Sequence, residues 1–309
     1  MRVVLFNILL LQFVFSQTFS DITFVGARSI GVAGSTYSNP TASESAFYNP
    51  AGLSKLKHFS VFCGTSMLYK ASFLEHTYLS VGIPILLNKK NHSFAFSYQS
   101  FSTKYPDNSY EFGSLGSDLS KESSISVSHS IKLLNDMNST LSLGYNVNYY
   151  NNYQAASAGN SGNGIGGISS GEISTIGLDI GLHATLRKKF RFGAFMKNVN
   201  SPKLGKGSSL TFLPRRMNLE LGYRPFKELN TSFGLQRILG DNVSSFKFGF
   251  EYLLTKYFTL RSGVQINPNR FGVGFTLNIK AVEISYGLLT HPVLDNTDSF
   301  DIKVNFDKF

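Results

Sequence analysis

Gly162, Gly164 and Gly167 stand at the spacing of a G-x-G-x-x-G loop, in which backbone N–H groups and a following helix N-terminus cradle a phosphate. Here they lie in a run of Gly, Ser and Asn with no helical pattern behind it, so the stretch reads as a surface loop. His58, His76, His92, His129, His183 and His291 have no metal-ligand spacing within any one segment, and neither a metal nor another cofactor is expected. No Ser, His and Asp grouping can be assigned from spacing, so the chain is not expected to be an enzyme. What remains is charge. Glu220 and Glu251 sit among Arg224, Lys247 and Arg261, while Asp179 and His183 share one face of a strand-like segment. Such groups read as a network facing the inside of a closed wall, where they must be paired or wetted.

The wall itself is written in the alternation. From His58 onward, segments of about ten residues alternate apolar and polar positions and end in Gly, Asn, Asp, Ser or Pro. In 172–186, Ile176, Leu178, Ile180, Leu182, Ala184 and Leu186 fall on one face, and Thr175, Gly177, Asp179, His183 and Thr185 on the other. Phe246, Phe248, Phe250 and Tyr252 likewise oppose Lys247, Gly249 and Glu251; Met217, Leu219, Leu221 and Tyr223 oppose Asn218, Glu220 and Arg224. About fourteen strands follow, near 58–69, 75–85, 92–103, 122–134, 139–151, 172–186, 190–198, 215–224, 230–238, 245–253, 256–266, 269–279, 281–290 and 299–309.

Alternation alone fits a soluble sandwich as well as a membrane barrel. Connection lengths discriminate: in an outer-membrane barrel the odd-numbered connections face outward and are long. The third, fifth, seventh and thirteenth, at 104–121, 152–171, 199–214 and 290–298, are long, whereas the sixth is 187–189 and the twelfth turns at Lys280. The second, around Pro84 to Asn91, is expected to be the longest inner turn. The terminal Phe309 is out of phase with Phe300, Ile302, Val304 and Phe306.

Composition agrees. Hydrophobic residues make up 42 %, aromatic residues 14 % and charged residues only 16 % of the chain, without Trp. The mean hydropathy is −0.03, as expected where lipid-facing and lumen-facing positions average out. Residues 1–16, with Arg2 followed by the apolar runs Val3 to Leu11 and Phe13 to Phe15, read as a signal peptide cleaved after Ser16. No later stretch reaches the ~18 apolar residues of a spanning helix. Cys63 is the lone cysteine, so no internal disulfide can form. The net charge of +10 is dispersed, and nucleic acid is not an expected partner.

Ahead of the first strand stand Gly26-Ala27-Arg28-Ser29-Ile30-Gly31-Val32-Ala33-Gly34 and then Ser43-Glu44-Ser45-Ala46-Phe47-Tyr48-Asn49-Pro50-Ala51-Gly52-Leu53. This opening resembles that of the PorV/PorQ family of outer-membrane proteins and, more distantly, the FadL long-chain fatty-acid channels. Lys197-Asn198-Val199, Leu213-Pro214, Phe258 to Gly263, Asn267-Pro268 and His291-Pro292 extend the resemblance into the C-terminal half. It implies an all-β fold, a transmembrane up-and-down antiparallel barrel of about fourteen strands, with an N-terminal hatch inside the lumen. Gly26, Ala27, Arg28, Gly31, Gly34, Asn49, Pro50, Ala51 and Gly52 would belong to that hatch. The local reading is simpler: a turn entering the first strand, with Pro50 fixing φ and Gly52 relaxing the chain. Gly177, Gly181, Gly272 and Gly274 offer strand interiors against which a small-residue segment packs closely.

The expected organisation is therefore a signal peptide (1–16), a hatch (17–57) and a barrel (58–309), exported to a bacterial outer membrane and surrounded by its lipid. Two functions follow from the resemblance. One is passive passage of a hydrophobic small-molecule ligand, with Leu210, Phe212 and Leu213 receiving it, a lateral gap in the wall and an apolar pocket reaching the hatch. The other is a scaffold for secretion-system proteins, since PorV and PorQ are associated with type IX secretion; the loop at 152–171 would be the presenting surface. A purely structural or adhesive barrel is the third class.

Overall fold

The computed structural model describes residues 24–87, 90–104, 118–156, 166–205, 210–240 and 244–306. The expected leader, Gly162, Gly164 and Phe309 lie outside them.

The barrel strands are β1 (Phe59–Met67), β2 (Leu74–Leu87), β3 (Lys90–Lys104), β4 (Asp118–Asn135), β5 (Thr140–Gln154), β6 (Gly171–Leu186) and β7 (Phe190–Lys197). They continue with β8 (Arg216–Tyr223), β9 (Leu229–Ile238), β10 (Ser244–Thr255), β11 (Phe258–Ile266), β12 (Arg270–Ile279), β13 (Val282–Leu289) and β14 (Thr297–Phe306). Each pairs antiparallel with its neighbour in sequence, and β1 pairs with β14 from Phe59↔Phe306 to Met67↔Asp298, which closes the barrel. Closure leaves no sheet edge, the condition for a β-structure to cross lipid. Among the described residues no helix is long and apolar enough to cross a membrane.

Which face is buried separates this barrel from a sandwich. On β10, Phe246, Phe248 and Phe250 point outward and are 39 %, 48 % and 44 % exposed, while Lys247 and Glu251 point inward and are buried. The same inversion holds on β6, where Ile176, Leu178 and Ile180 are exposed and Asp179 and His183 are buried. Water would not tolerate such a continuous apolar outer surface; a hydrocarbon layer requires it.

The second connection departs from expectation. β2 continues through Pro84 to Leu87, so the connection is only residues 88–89, and the longest described inner turn is 224–228. Pairing of β2 with β1 ends at Gly82, so Pro84 lies where that edge is free, and its missing N–H breaks no ladder bond there.

The wall is uneven in height. β2 to β6 run 14 to 18 residues, but β7 and β8 have only eight each. Eight residues span about 26 Å along the strand, less once tilted, against an apolar band about 25 Å tall. At this low sector Val199 N donates to the Leu178 carbonyl, and the Asn200 side chain bridges Leu178 N and the Ile176 carbonyl. The start of the connection after β7 thus closes onto β6, and its described residues carry a two-residue strand pair, Lys203–Leu204 with Thr211–Phe212, outside the barrel sheet.

Candidate functional site: a hatch seated on glycines

Residues 24–58 line the lumen as a belt. Helix α1 (Ala27–Gly31) and the 3-10 turns Ser43–Phe47 and Pro50–Lys55 are its regular parts, and nearly all its residues are buried. The belt starts at β14, where Ala27 N donates to Asp301 Oδ2 at 2.6 Å. It then crosses β13 to β7 through Gly287, Gly272, Gly263, Gly249, Gly222 and Gly193, which face Ala27, Ile30, Val32, Ser35, Ser38 and Tyr37 in turn. The second pass sets Ser43 over Gly82, Asn49 over Gly181, and Pro50 and Ala51 over Gly144. At Gly193, Gly263 and Gly272 an added methyl would overlap hatch backbone, which has no rotamer by which to yield.

These glycines also pair across the strands: Gly144↔Gly181, Gly249↔Gly263 and Gly263↔Gly272 are register partners. The wall therefore carries a Cβ-free track on which backbone lies directly against backbone. Of the glycines singled out in the sequence, Gly181, Gly272 and Gly274 meet the hatch, whereas Gly177 meets Tyr150, Asn198 and Pro202.

Charge fastens the belt. Arg28 donates Nε to Glu251 Oε2 at 3.0 Å and Nη2 to Glu251 Oε1 at 2.8 Å, a two-point clamp. Its Nη1 reaches Glu44 Oε1 at 3.2 Å and Thr41 Oγ1 at 2.9 Å. Arg261 donates to Glu251 Oε2 at 2.9 Å, so one wall carboxylate joins two guanidinium groups. Burial alone would push the Glu44 carboxyl up, but Lys303, Arg28 and the Thr41 hydroxyl outweigh it and hold that group below its ordinary range.

Glu220 accepts from the Ser38 hydroxyl at 2.6 Å, Ser38 N at 2.9 Å and Tyr37 N at 3.2 Å. His183 Nε2 lies 3.0 Å from the Ser38 carbonyl and 3.2 Å from Lys55 Nζ. Lys247 donates to Gln236 Oε1 at 2.6 Å and lies over the Phe24 and Tyr37 rings. Asp179 accepts from Asn146, Asn148 and the backbone N–H of Asn198, tying the connection after β7 into the lumen.

Arg224 is the exception among the charged candidates. It follows the end of β8, and its guanidinium donates to the Lys227 carbonyl in an exposed turn, so it caps that turn and does not join the network. The alternation that put it on the inner face is correct; the strand simply ends one residue earlier. Glu44, from the Ser43–Leu53 run, joins the network, as do Asn39, Thr41, Asp301 and Lys303, which were not singled out in the sequence. Asp301 and Lys303 were within reach, since they alternate with Phe300, Ile302 and Val304.

Asn49 does both jobs proposed for its motif. Its Oδ1 accepts from Ala51 N and caps the turn that Pro50 opens, while its Nδ2 donates to the Tyr37 carbonyl at 3.2 Å and the Leu182 carbonyl at 3.0 Å. Gly52 lies against Pro40 and Ser45, and Gly34 against Phe24, with φ +80. Gly26, with φ +88, faces Phe62 and Asp301; Gly31 faces Gly274.

The architecture has counterparts among solved structures. The Ralstonia pickettii toluene transporter TbuX superposes with a TM-score of 0.61 over 93 % of this chain and 100 % of its own, at 14 % identity. The chain has the FadL-like barrel fold. The Pseudomonas putida toluene transporter TodX (TM-score 0.59, 12 % identity, 94 % and 100 % covered) and a Pseudomonas aeruginosa FadL homologue (0.58, 11 %, 92 % and 98 %) agree. No protein-family model and no curated protein sequence matches the chain.

Within this FadL-like barrel the apolar surfaces at the hatch are clusters of side chains. Phe24, Ile30, Ala33 and Leu289 form one; Val25, Tyr37, Tyr48, Phe62, Tyr78 and Phe195 form another, with Phe47 against it. Two described cavities lie elsewhere, over outward-facing rings. One of about 360 Å³ touches Met67, Leu74, Tyr286 and Phe300; one of about 380 Å³ touches Phe190, Leu221, Tyr223, Phe233 and Phe248. The lateral gap expected for passage is not found among the described strands, since every neighbouring pair is hydrogen-bonded. Leu210 and Phe212 are exposed and Leu213 is buried in the connection after β7.

Proposed function

We propose that this protein passes hydrophobic small molecules across a bacterial outer membrane, with the hatch as the element that must move. The observation that carries the reading is the match of this barrel, over 93 % and 94 % of the chain, to two toluene transporters of the same fold. The two apolar clusters are packed side chains at the belt, and a hydrophobic molecule would meet them once the belt moves. Beyond its continuity with β1, the hatch is held to the wall by hydrogen bonds, ion pairs and contacts, so its displacement means breaking those clamps. The low sector at β7 and β8, where Val199 and Asn200 lie against β6, is the proposed way from the lumen into lipid.

A second reading, a non-transporting scaffold within the PorV/PorQ resemblance that engages secretion-system proteins, is favoured by the same belt. Backbone seated on the glycine track fills the wall-side lumen and leaves little reason to open. Heat-modifiability on gels of outer-membrane fractions, followed by mass spectrometry of lipids extracted from detergent-purified protein, separates the readings. Co-purified hydrophobic molecules and their uptake into proteoliposomes support passage. A heat-modifiable barrel with neither supports the scaffold.

A further inference from the structure

The end of the barrel that carries the short turns is basic, and its charges occupy costly backbone positions. Arg187 and Lys188 have φ of 51 and 56, and Lys280 has φ of 54. Hairpin turns with residues in the left-handed region favour Asn and Gly there, because a Cβ meets the following carbonyl oxygen at a cost of about 1 kcal/mol. Cations stand instead at three such positions, all exposed. Lys189, Lys227 and Lys256 add to them, against Asp136 and Glu228 in the same turns.

The opposite connections carry fewer cations over longer stretches, one of them, Lys70, also at a positive φ of 54. Among the described residues these connections hold Lys70, Lys203 and Arg215, with Asp295.

The basic turns are tied to one another. Lys188 N donates to the Asn138 carbonyl, Arg224 N to the Lys189 carbonyl at 2.8 Å, and Arg224 in turn caps Lys227. The turns that carry these charges are therefore held side by side in one arc. Exposed aromatic rings border this arc on the lipid side: Phe190 and Tyr223 stack at 5.1 Å, Phe226 is exposed, and Lys256 Nζ sits 4.7 Å from the Tyr257 ring centroid. Rings at the edge of an apolar band with cations just beyond them match one chemistry, a lipid whose acyl chains lie along the rings and whose phosphate meets the cations. A soluble acidic partner would have no use for the rings.

We propose that this arc binds anionic phospholipid headgroups of the leaflet in contact with the short turns, holding a fixed shell of phosphatidylglycerol-type lipid between Arg187–Lys189, Lys227 and Lys256. The inference rests on the outer-membrane reading above, and it specifies the inner leaflet as the one that is read.

The test uses the full chain in vesicles of phosphatidylcholine with one-fifth phosphatidylglycerol, followed by native mass spectrometry of the lipids released with the protein. The wild type is expected to retain phosphatidylglycerol and phosphatidylcholine in a ratio about tenfold above that of the bulk vesicle. R187N/K188G, which suits the turn better, is expected to stay heat-modifiable and lose most of the excess. Equal retention by the variant, or no excess in the wild type, overturns the proposal. Loss of the excess on adding inorganic phosphate alone also overturns it, because a free anion would then be the ligand. Uptake of hydrophobic molecules is measured in the same vesicles: failure of lipid enrichment with uptake intact sinks this proposal alone, whereas absence of a heat-modifiable barrel sinks the membrane reading beneath both.

Discussion

Arg28 in the hatch and Glu251 in the tenth strand meet through two parallel hydrogen bonds of 3.0 and 2.8 Å, although 223 residues separate them in sequence. Both are buried, and Arg261 and Glu44 complete the group. Removing one partner of such a set leaves a buried charge without its complement, which costs about 3–5 kcal/mol. E251Q is therefore expected to release the belt. Single-channel recordings in planar bilayers should show a conductance that the wild type lacks, with the barrel still heat-modifiable.

The glycine track predicts a graded steric effect. G263A or G193A forces hatch backbone off the wall and is expected to destabilise the protein by about 1–3 kcal/mol. G171A places its methyl in open space and should leave stability unchanged. Thermal unfolding in detergent checks the pair, and equal melting of G171A and G263A would contradict a seated hatch.

Asn49 joins the two passes of the hatch to each other and to the sixth strand through the Tyr37 and Leu182 carbonyls. N49A leaves both carbonyls and the Ala51 N–H short of a partner, at about 1–3 kcal/mol for each buried group that water cannot reach. Limited proteolysis should then cut within the hatch while leaving the strands intact.

Acid should release the hatch late. The Glu44 carboxyl is held below its ordinary range, so its contribution to stability is complete above the unfolded-state pKa, near the ordinary 4.5, and disappears as pH falls through the lowered folded value. Hatch opening, read as conductance, is expected only on the acid side of pH 4.5. In E44Q, which has no such group to titrate, the opening should lose that part of its pH dependence.

R187N/K188G tests the turn in its own right. With Asn and Gly at the two left-handed positions, the sixth-to-seventh strand hairpin is expected to gain up to about 1 kcal/mol per position in neutral detergent. Denaturant unfolding in uncharged micelles would show it as a higher midpoint with an unchanged slope.

Much of this molecule was legible in its residues because a membrane strand is a local object. Alternation such as Phe246, Phe248 and Phe250 against Lys247, Gly249 and Glu251 states both the conformation and the two faces within a dozen residues. The count of fourteen strands and the length parity of most connections followed, with β4 starting at Asp118 rather than 122 as the largest shift of a boundary. Pro84 misled because a proline reads as a strand end unless the neighbouring strand is known to have stopped. Arg224 misled because alternation gives a side but not a height, and one residue past Tyr223 the wall is gone.

The sequence by itself determined the barrel, its inward charges and a small-residue segment meant to lie against glycine. Which glycine meets which hatch residue was decided only by tertiary structure. Gly287 faces Ala27 and Gly144 faces Ala51 because closure of β1 on β14 fixes the stagger of every strand, and stagger is a property of the whole ring that no segment contains. The clamp from Arg28 to Glu251 and the arc of cations on the short turns arise in the same way, from residues far apart in the chain that closure brings to one level.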